Sequence, residues 1–308
     1  MYQKEKEELV LISKYAGTRP EYVQGGGGNV SVKFDGRLMA IKASGYTIAE
    51  ITPEKGYVTV DYERIKEYYN TVDSSAGNDF EKESLAVNMG SAVLIDGMEV
   101  KRPSVEVGFH SFLSRCVIHT HSIYANLLCC SEEGRNIAKK ILADCGLTYL
   151  FIPYIDPGYR LTLAVRQGIL EFESQFGRMP DVVFLDNHGI IVHNKEAGQA
   201  VLIHEEINSI IKKYFSLEDY PKPGIQTIYK SNTVYLLDFI KQCHANEDYF
   251  NELKLYPDQL YIWAERWEKR YGLVLITLCI QQAKKKRQQW RKHCWGLHMC
   301  QVRFEKRD

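Results

Sequence analysis

Residues 116–121 read Cys-Val-Ile-His-Thr-His, and residues 181–194 read Asp-Val-Val-Phe-Leu-Asp-Asn-His-Gly-Ile-Ile-Val-His-Asn. The first segment alternates as a short strand does, with residues i and i+2 sharing a face. The second places two apolar runs around Asn187-His188-Gly189 and reads as a buried hairpin or strand pair. Outward from these, residues 122–129 and 132–145 have helical spacing, FIPYID (151–156) is extended, and 161–176 and 195–215 are helices. Upstream, NVSVKF (29–34), RLMAIKA (37–43) and GYVTVDY (56–62) are strand-like, with Asp35-Gly36 and Pro53-Glu54-Lys55-Gly56 as turns. Residues 1–16 form a helix stopped by Gly17, VEVGFHSFLSRC (105–116) is helical, and the polar, aperiodic stretch 71–84 is an exposed loop. Hairpins beside helices predict an α/β or α+β sandwich and not a doubly wound parallel sheet.

Composition fits a folded chain: of 308 residues, 45% are apolar and 25% charged, which excludes disordered and collagen-like classes. No apolar run approaches the roughly 18–20 residues of a membrane span, and MYQKEKEELV lacks the apolar core of a signal peptide. The expected location is therefore cytoplasmic, with no membrane partner. Lys+Arg and Asp+Glu both total 39, so no net field draws the molecule to nucleic acid. The eight cysteines include no CxxC pair and read as reduced, mostly buried thiols.

Beyond Leu217, EDYPKPGIQ (218–226) reads as a linker, followed by helical pieces at 232–254 and 258–283. Residues 284–308 carry nine Lys/Arg against Glu305 and Asp308. Two readings stand for this tail: a basic binding segment, or an exposed, non-native or frame-altered C-terminus. The second is preferred because apolar periodicity stops near Gln281. Its His293, Cys294, His298 and Cys300 match no standard metal spacing.

The chemistry-bearing signal is local. His119 and His121 on one strand face can reach a single ion, although a pair of hydrogen-bonded histidines would show the same spacing. His188, where an apolar strand meets Gly189, can deliver a third imidazole, and three histidines suffice for a zinc site with an open position. Glu106, at the start of a helix, reads as a fourth ligand, a general base or a favourable charge on the helix's first turn. His193 and His204 fall outside the pattern and read as structural or exposed. The run Gly25-Gly26-Gly27-Gly28-Asn29 is neither a Walker loop nor a Rossmann fingerprint, which leaves an anion-cradling loop or a flexible linker. Lys42, Ser44 and Gly45 offer a cation, a hydroxyl and a backbone amide, and with Ser104 they sketch a phosphate pocket.

Taken in order, GNVSVK, IKASGYTIAEIT, PSVEVGFH, VIHTHS, IPYIDPG and NHGIIV resemble the class II aldolase/adducin family. That group includes L-fuculose-phosphate and L-rhamnulose-phosphate aldolases and L-ribulose-phosphate 4-epimerase, and the resemblance spans about residues 5–215. It implies one three-layer α/β domain over residues 1–215, a largely antiparallel central sheet flanked by helices, with 216–308 as an extension. It also implies a homotetramer with active sites between neighbouring subunits.

Carried over by motif, His119, His121 and His188 match the ligands of one Zn2+ per subunit. Glu106 matches the acidic group that is both ligand and proton-transfer residue. Gly28, Asn29, Lys42, Ser44, Gly45 and Ser104 match the phosphate side of the site. Val105 stands where the fuculose and ribulose enzymes carry a second serine. Glu at 106, where the epimerase has Asp, favours zinc-dependent cleavage of a ketose 1-phosphate to dihydroxyacetone phosphate and an aldehyde. An epimerase or dehydratase on the same metal site is the alternative, and the intact histidine triad argues against a non-catalytic adducin-like scaffold. The resemblance further implies a tyrosine reaching in from a neighbouring subunit, with Tyr154 and Tyr159 as candidates.

Overall fold

Polar residues alternate with apolar ones along Asn29-Val30-Ser31-Val32-Lys33-Phe34, yet all six positions are buried. A strand buried on both sides needs a layer on each face. In the computed structural model, which describes residues 2–72, 79–95 and 101–217 and the backbone of 225–229 and 234–237, those layers are helical. In chain order the elements are α1 (Gln3–Gly17), β1 (Asn29–Phe34), β2 (Leu38–Lys42), β3 (Tyr57–Asp61), α2 (Tyr62–Thr71), α3 (Phe80–Gly90), β4 (Ala92–Val93) and α4 (Val107–Phe112). There follow β5 (Cys116–Thr120), α5 (Ile123–Cys129), α6 (Gly134–Ile141), β6 (Tyr149–Ile152), α7 (Tyr159–Phe176), β7 (Val182–Leu185), β8 (Gly189–Asn194) and α8 (Ala197–Tyr214). The sheet order is β4-β3-β2-β1-β5-β8-β7-β6, antiparallel throughout except for the parallel β6–β7 pair.

Alternation divides the core in two. Val30, Val32, Phe34, Cys116, Ile118, Val182, Phe184, Ile190 and Val192 pack with residues of α1, α5, α6 and α8. Val117, Val183, Leu185 and Ile191 pack with Phe109 of α4 and with Leu161, Val165 and Ile169 of α7. Met39, Ile41, Val58 and Val60 meet Ile65 and Tyr69 of α2 on that second side. Each such side chain contributes roughly 1.5–3 kcal/mol by leaving water, so the pattern of period two fixes the register. That register sets Asn29 directly opposite His119 across β1–β5 and His119 opposite Ile191 across β5–β8.

Lys33 is a buried charged side chain on the second face. Its ammonium donates to the carbonyls of Ser111, at 2.9 Å, and Leu113, closing the C-terminal end of α4, and it lies 4.8 Å from the centre of the Tyr62 ring. Burial, with Lys66 nearby, pushes its pKa down to about 7. Above that value the folded chain binds one proton fewer than the unfolded chain until the ordinary lysine range, so this group makes stability rise with pH. Relative to Lys33→Met, the wild type is expected to gain about 1 kcal/mol between pH 7 and 8, read from urea midpoints; parallel pH curves would contradict it.

Three sequence expectations change. The loop expected over 71–84 gives way to α3 from Phe80, with Asp79 accepting from the Lys82 backbone N–H as its cap; residues 73–78 lie outside the described residues. Within the helix expected over 232–254, Val234–Leu237 is a strand paired antiparallel with Ile225–Tyr229, which also takes up the end of the expected linker. The rest of that linker, the helical piece at 258–283 and the 284–308 tail fall outside the described residues. The hairpin turn at Asp35-Gly36 is present, both residues at positive φ. The cysteines at 116, 129, 130 and 145 are free thiols, the first two buried. Among the described residues no helix is long and apolar enough to cross a membrane.

Candidate metal centre

The end of β5 and the β7–β8 turn deliver three imidazoles to one point. His119, His121 and His188 each place a ring nitrogen within 4.8 Å of the others, and all three are buried. His119 Nδ1 donates to the Ile190 carbonyl at 3.0 Å, which fixes the tautomer and leaves the Nε2 lone pair facing inward. Nε2 of His121 lies 3.2 Å from it. Thr120, between the two, points to the opposite face, where its hydroxyl meets His204 Nε2 at 2.7 Å.

Backbone geometry makes this convergence possible. Asn187 has φ 49°, a left-handed conformation that asparagine tolerates, and its N–H donates to the Cys129 carbonyl at 3.0 Å. Gly189 passes so close to β5 that a Cβ there would stand 2.3 Å from the Thr120 carbonyl oxygen. Gly28, at φ 67°, would bring a Cβ to 2.6 Å from the His119 carbonyl oxygen. Both glycines flank the histidine strand because only a bare backbone fits against it.

Glu106 is the residue just before α4, yet its carboxylate makes no capping hydrogen bond. It turns inward instead, with Oε2 3.6 Å from His119 Nε2 and Oε1 3.3 Å from His188 Nε2. Burial pushes this carboxyl up, but the surrounding imidazoles, His119 foremost, pull it well below the usual carboxylate range. Burial meanwhile pushes His119 down to about 3. Glu106 Oε1 is buried and has no hydrogen-bond partner, an acceptor that a cation held among the imidazoles would satisfy. Three imidazole nitrogens and a carboxylate are the donor set of a zinc-type divalent cation, so the residues present fit such an ion.

The residues expected on the phosphate side are gathered at one rim. Lys42 donates to the carbonyls of Tyr46 at 2.9 Å and Gly26 at 3.4 Å, tying the glycine loop to the Ser44-Gly45 turn. The Ser44 N–H donates to the Arg102 carbonyl at 2.8 Å, and Ala43 bridges to Pro103, which brings Ser104 alongside. Ser44 and Gly45 are exposed, as is Val105. Gly28, Lys42 and Ser104 are buried, and so is Asn29, its amide donating to Glu106 Oε2 at 2.6 Å and to Ser104 Oγ at 3.2 Å.

Two residues here escaped the sequence reading. His110 is fully buried, with Nε2 on Asn29 Oδ1 and Nδ1 2.7 Å from Ser31 Oγ. The available signals were periodic: Ser31 shares a strand face with Asn29, and His110 stands one helical turn after Glu106. Of the expected tyrosines, Tyr159 is buried and stacked against Tyr69 and Phe80, so it is committed to its own core. Tyr154 is 46% exposed. Of the two readings for His193 and His204, structural or exposed, burial removes the second: both are buried, His193 bonding Ser114 Oγ and His204 bonding Thr120 and Tyr15.

The profile of the family described as Class II Aldolase and Adducin N-terminal domain matches residues 7–215. Among curated proteins, the chain is 27% identical over 194 residues to the uncharacterized oxidoreductase YuxG of Bacillus subtilis (strain 168). That match covers 60% of this chain and 26% of that protein, so the chain spans about a quarter of the relative's length. Among solved structures it is similar to the N-terminal class II aldolase domain of a conserved protein from Thermoplasma acidophilum, with TM-score 0.56, 23% identity, and 70% and 95% of the two chains covered. An L-fuculose 1-phosphate aldolase superposes with TM-score 0.47 and 20% identity over 79% of this chain and 94% of that one. The profile covers more than half of the sequence and contains every residue of the histidine cluster, and the chain belongs to the class II aldolase and adducin family.

Proposed function

We propose that this chain is a zinc-dependent aldolase that cleaves a ketose 1-phosphate of the fuculose or rhamnulose type to dihydroxyacetone phosphate and an aldehyde. The observation that carries this reading is the buried set His119, His121, His188 with Glu106 Oε1 3.3 Å from His188 Nε2. The divalent ion, when bound, supplies Lewis-acid charge to the substrate's carbonyl and hydroxyl oxygens. The protein's own residues do the rest. Glu106 spends Oε2 on the Asn29 amide, leaving Oε1 to exchange a proton with the substrate carbon that becomes the dihydroxyacetone-phosphate methylene. Ser44, Gly45, Ser104 and the loop ending at Gly28 hold the phosphate through a hydroxyl pair and backbone N–H groups, with Lys42 contributing charge. The catalytic unit is proposed as residues 1–215 working in a homotetramer, with Tyr154 as the exposed tyrosine offered to a neighbouring subunit's site.

The test is dihydroxyacetone phosphate release, by coupled assay, from a panel of ketose 1-phosphates using zinc-loaded and chelator-stripped protein. Zinc-dependent release from one sugar is the expected result. Tight zinc binding with no release from any would replace the reading by an epimerase or dehydratase on the same site. Ser104→Ala is expected to raise KM for the phosphorylated sugar about tenfold, the loss of one charge-assisted hydrogen bond, with a smaller change for the unphosphorylated analogue. Equal changes for both sugars would remove Ser104 from the phosphate site.

A further inference from the structure

Asn29, assigned above by motif to the phosphate, is oriented by other partners. Its amide nitrogen gives one proton to Glu106 Oε2 at 2.6 Å and the other to Ser104 Oγ at 3.2 Å. Its amide oxygen is held by His110 Nε2, and His110 Nδ1 meets Ser31 Oγ at 2.7 Å. All of these side chains are buried. The chain of bonds admits one assignment: Ser31 donates to His110 Nδ1, the ring donates from Nε2 to Asn29 Oδ1, and the amide donates to the carboxylate. An amide rotated by half a turn would set its oxygen against the carboxylate, losing that bond, and would need the other His110 tautomer, with Nδ1 donating to Ser31 Oγ.

We infer that His110 is a positioning residue which, by locking the Asn29 amide, fixes the direction in which the Glu106 carboxylate faces the three imidazoles. Asn29 then serves the carboxylate rather than the phosphate, and the phosphate relies on Ser44, Gly45, Ser104 and Lys42. The inference rests on the reading of Glu106 as ligand and proton-transfer group, and it extends the site by residues on two further elements. β1 supplies Ser31 and Asn29 from one face, and α4 supplies His110 one turn after Glu106. Residues that orient a ligand through a second hydrogen bond commonly change metal affinity by 10–100-fold when removed.

The experiment uses Co2+ alone as probe, following its visible absorption and its affinity in the full chain against a competing chelator. His110→Leu and Asn29→Leu are each expected to weaken Co2+ about tenfold and to shift the absorption bands in the same way. The double variant should be no worse than either single one, since both cut the same chain. His110→Gln, which keeps a donor toward Asn29 Oδ1, should restore most of the loss. If His110→Leu does not fold, Asn29→Leu and Ser31→Ala carry the test, with Ser31→Ala giving a smaller shift of the same sign. Unchanged Co2+ affinity and spectrum in the folded variants, or losses that add in the double variant, would overturn the inference. Failure of the aldolase reading is separately visible: the wild type would bind Co2+ with these dependencies and release no dihydroxyacetone phosphate.

Discussion

His119→Ala is expected to abolish metal binding and activity together. The ring is fully buried, and its Nδ1 is spent on the Ile190 carbonyl, so the missing Nε2 has no neighbour able to replace it. Structural zinc sites in small peptides bind with about 10–16 kcal/mol; on that scale, losing one of four ligands should weaken affinity roughly a hundred- to a thousandfold. The apolar edge of the ring also packs against Phe109, with centroids 5.6 Å apart, so a cavity penalty of about 2 kcal/mol accompanies the loss. Metal content after gel filtration, measured beside turnover and thermal midpoint, separates the two effects. A variant without metal that turns over at the wild-type rate would refute the metal mechanism, and one that merely unfolds earlier while keeping its zinc would refute the ligand assignment.

The histidine cluster was legible because both of its signals are short-range. A strand puts residues 119 and 121 on one face whatever surrounds it, and the Asn187-His188-Gly189 turn marks the second strand's approach. The two-faced core followed from the same alternation. What could not be read was the depth of the site. Ser31 and His110 stand 79 residues apart, and nothing local in Val-Gly-Phe-His announces that its imidazole will bond both Asn29 and Ser31. Glu106 illustrates the same limit from the other side: its sequence position suits a helix-cap charge, and only the β1–β5 register, which sets Asn29 opposite His119, draws the carboxylate inward. The helix α3 was hidden by its polar composition, because it turns only Ser84 and Asn88 fully into the protein.

Gly189→Ala is expected to damage stability and the histidine cluster together. At position 189 the atoms a Cβ would meet are the Thr120 carbonyl oxygen at 2.3 Å and His121 Cα at 3.2 Å. These are backbone atoms and cannot rotate aside as a side chain would, so β8 must move away from the end of β5. The movement breaks the alignment where Ile190 pairs with Thr120, and Ile190 is also the residue whose carbonyl orients His119. Overpacking that forces backbone to shift costs about 3 kcal/mol or more, and here the displaced atoms carry two of the proposed metal ligands on one side and adjoin His188 on the other. Stability and metal affinity should therefore fall together, the thermal midpoint by several degrees and zinc affinity by at least tenfold. The matched control is Gly198→Ala in α8, where a Cβ meets nothing within 4 Å and helix propensity favours alanine by up to about 1 kcal/mol. A control more stable than the wild type, beside a Gly189→Ala protein that has lost its metal, is the result that close approach demands. Wild-type stability and zinc affinity in Gly189→Ala would mean that β5 and β8 can separate without disturbing the ligands, and that His119 is not held by its strand.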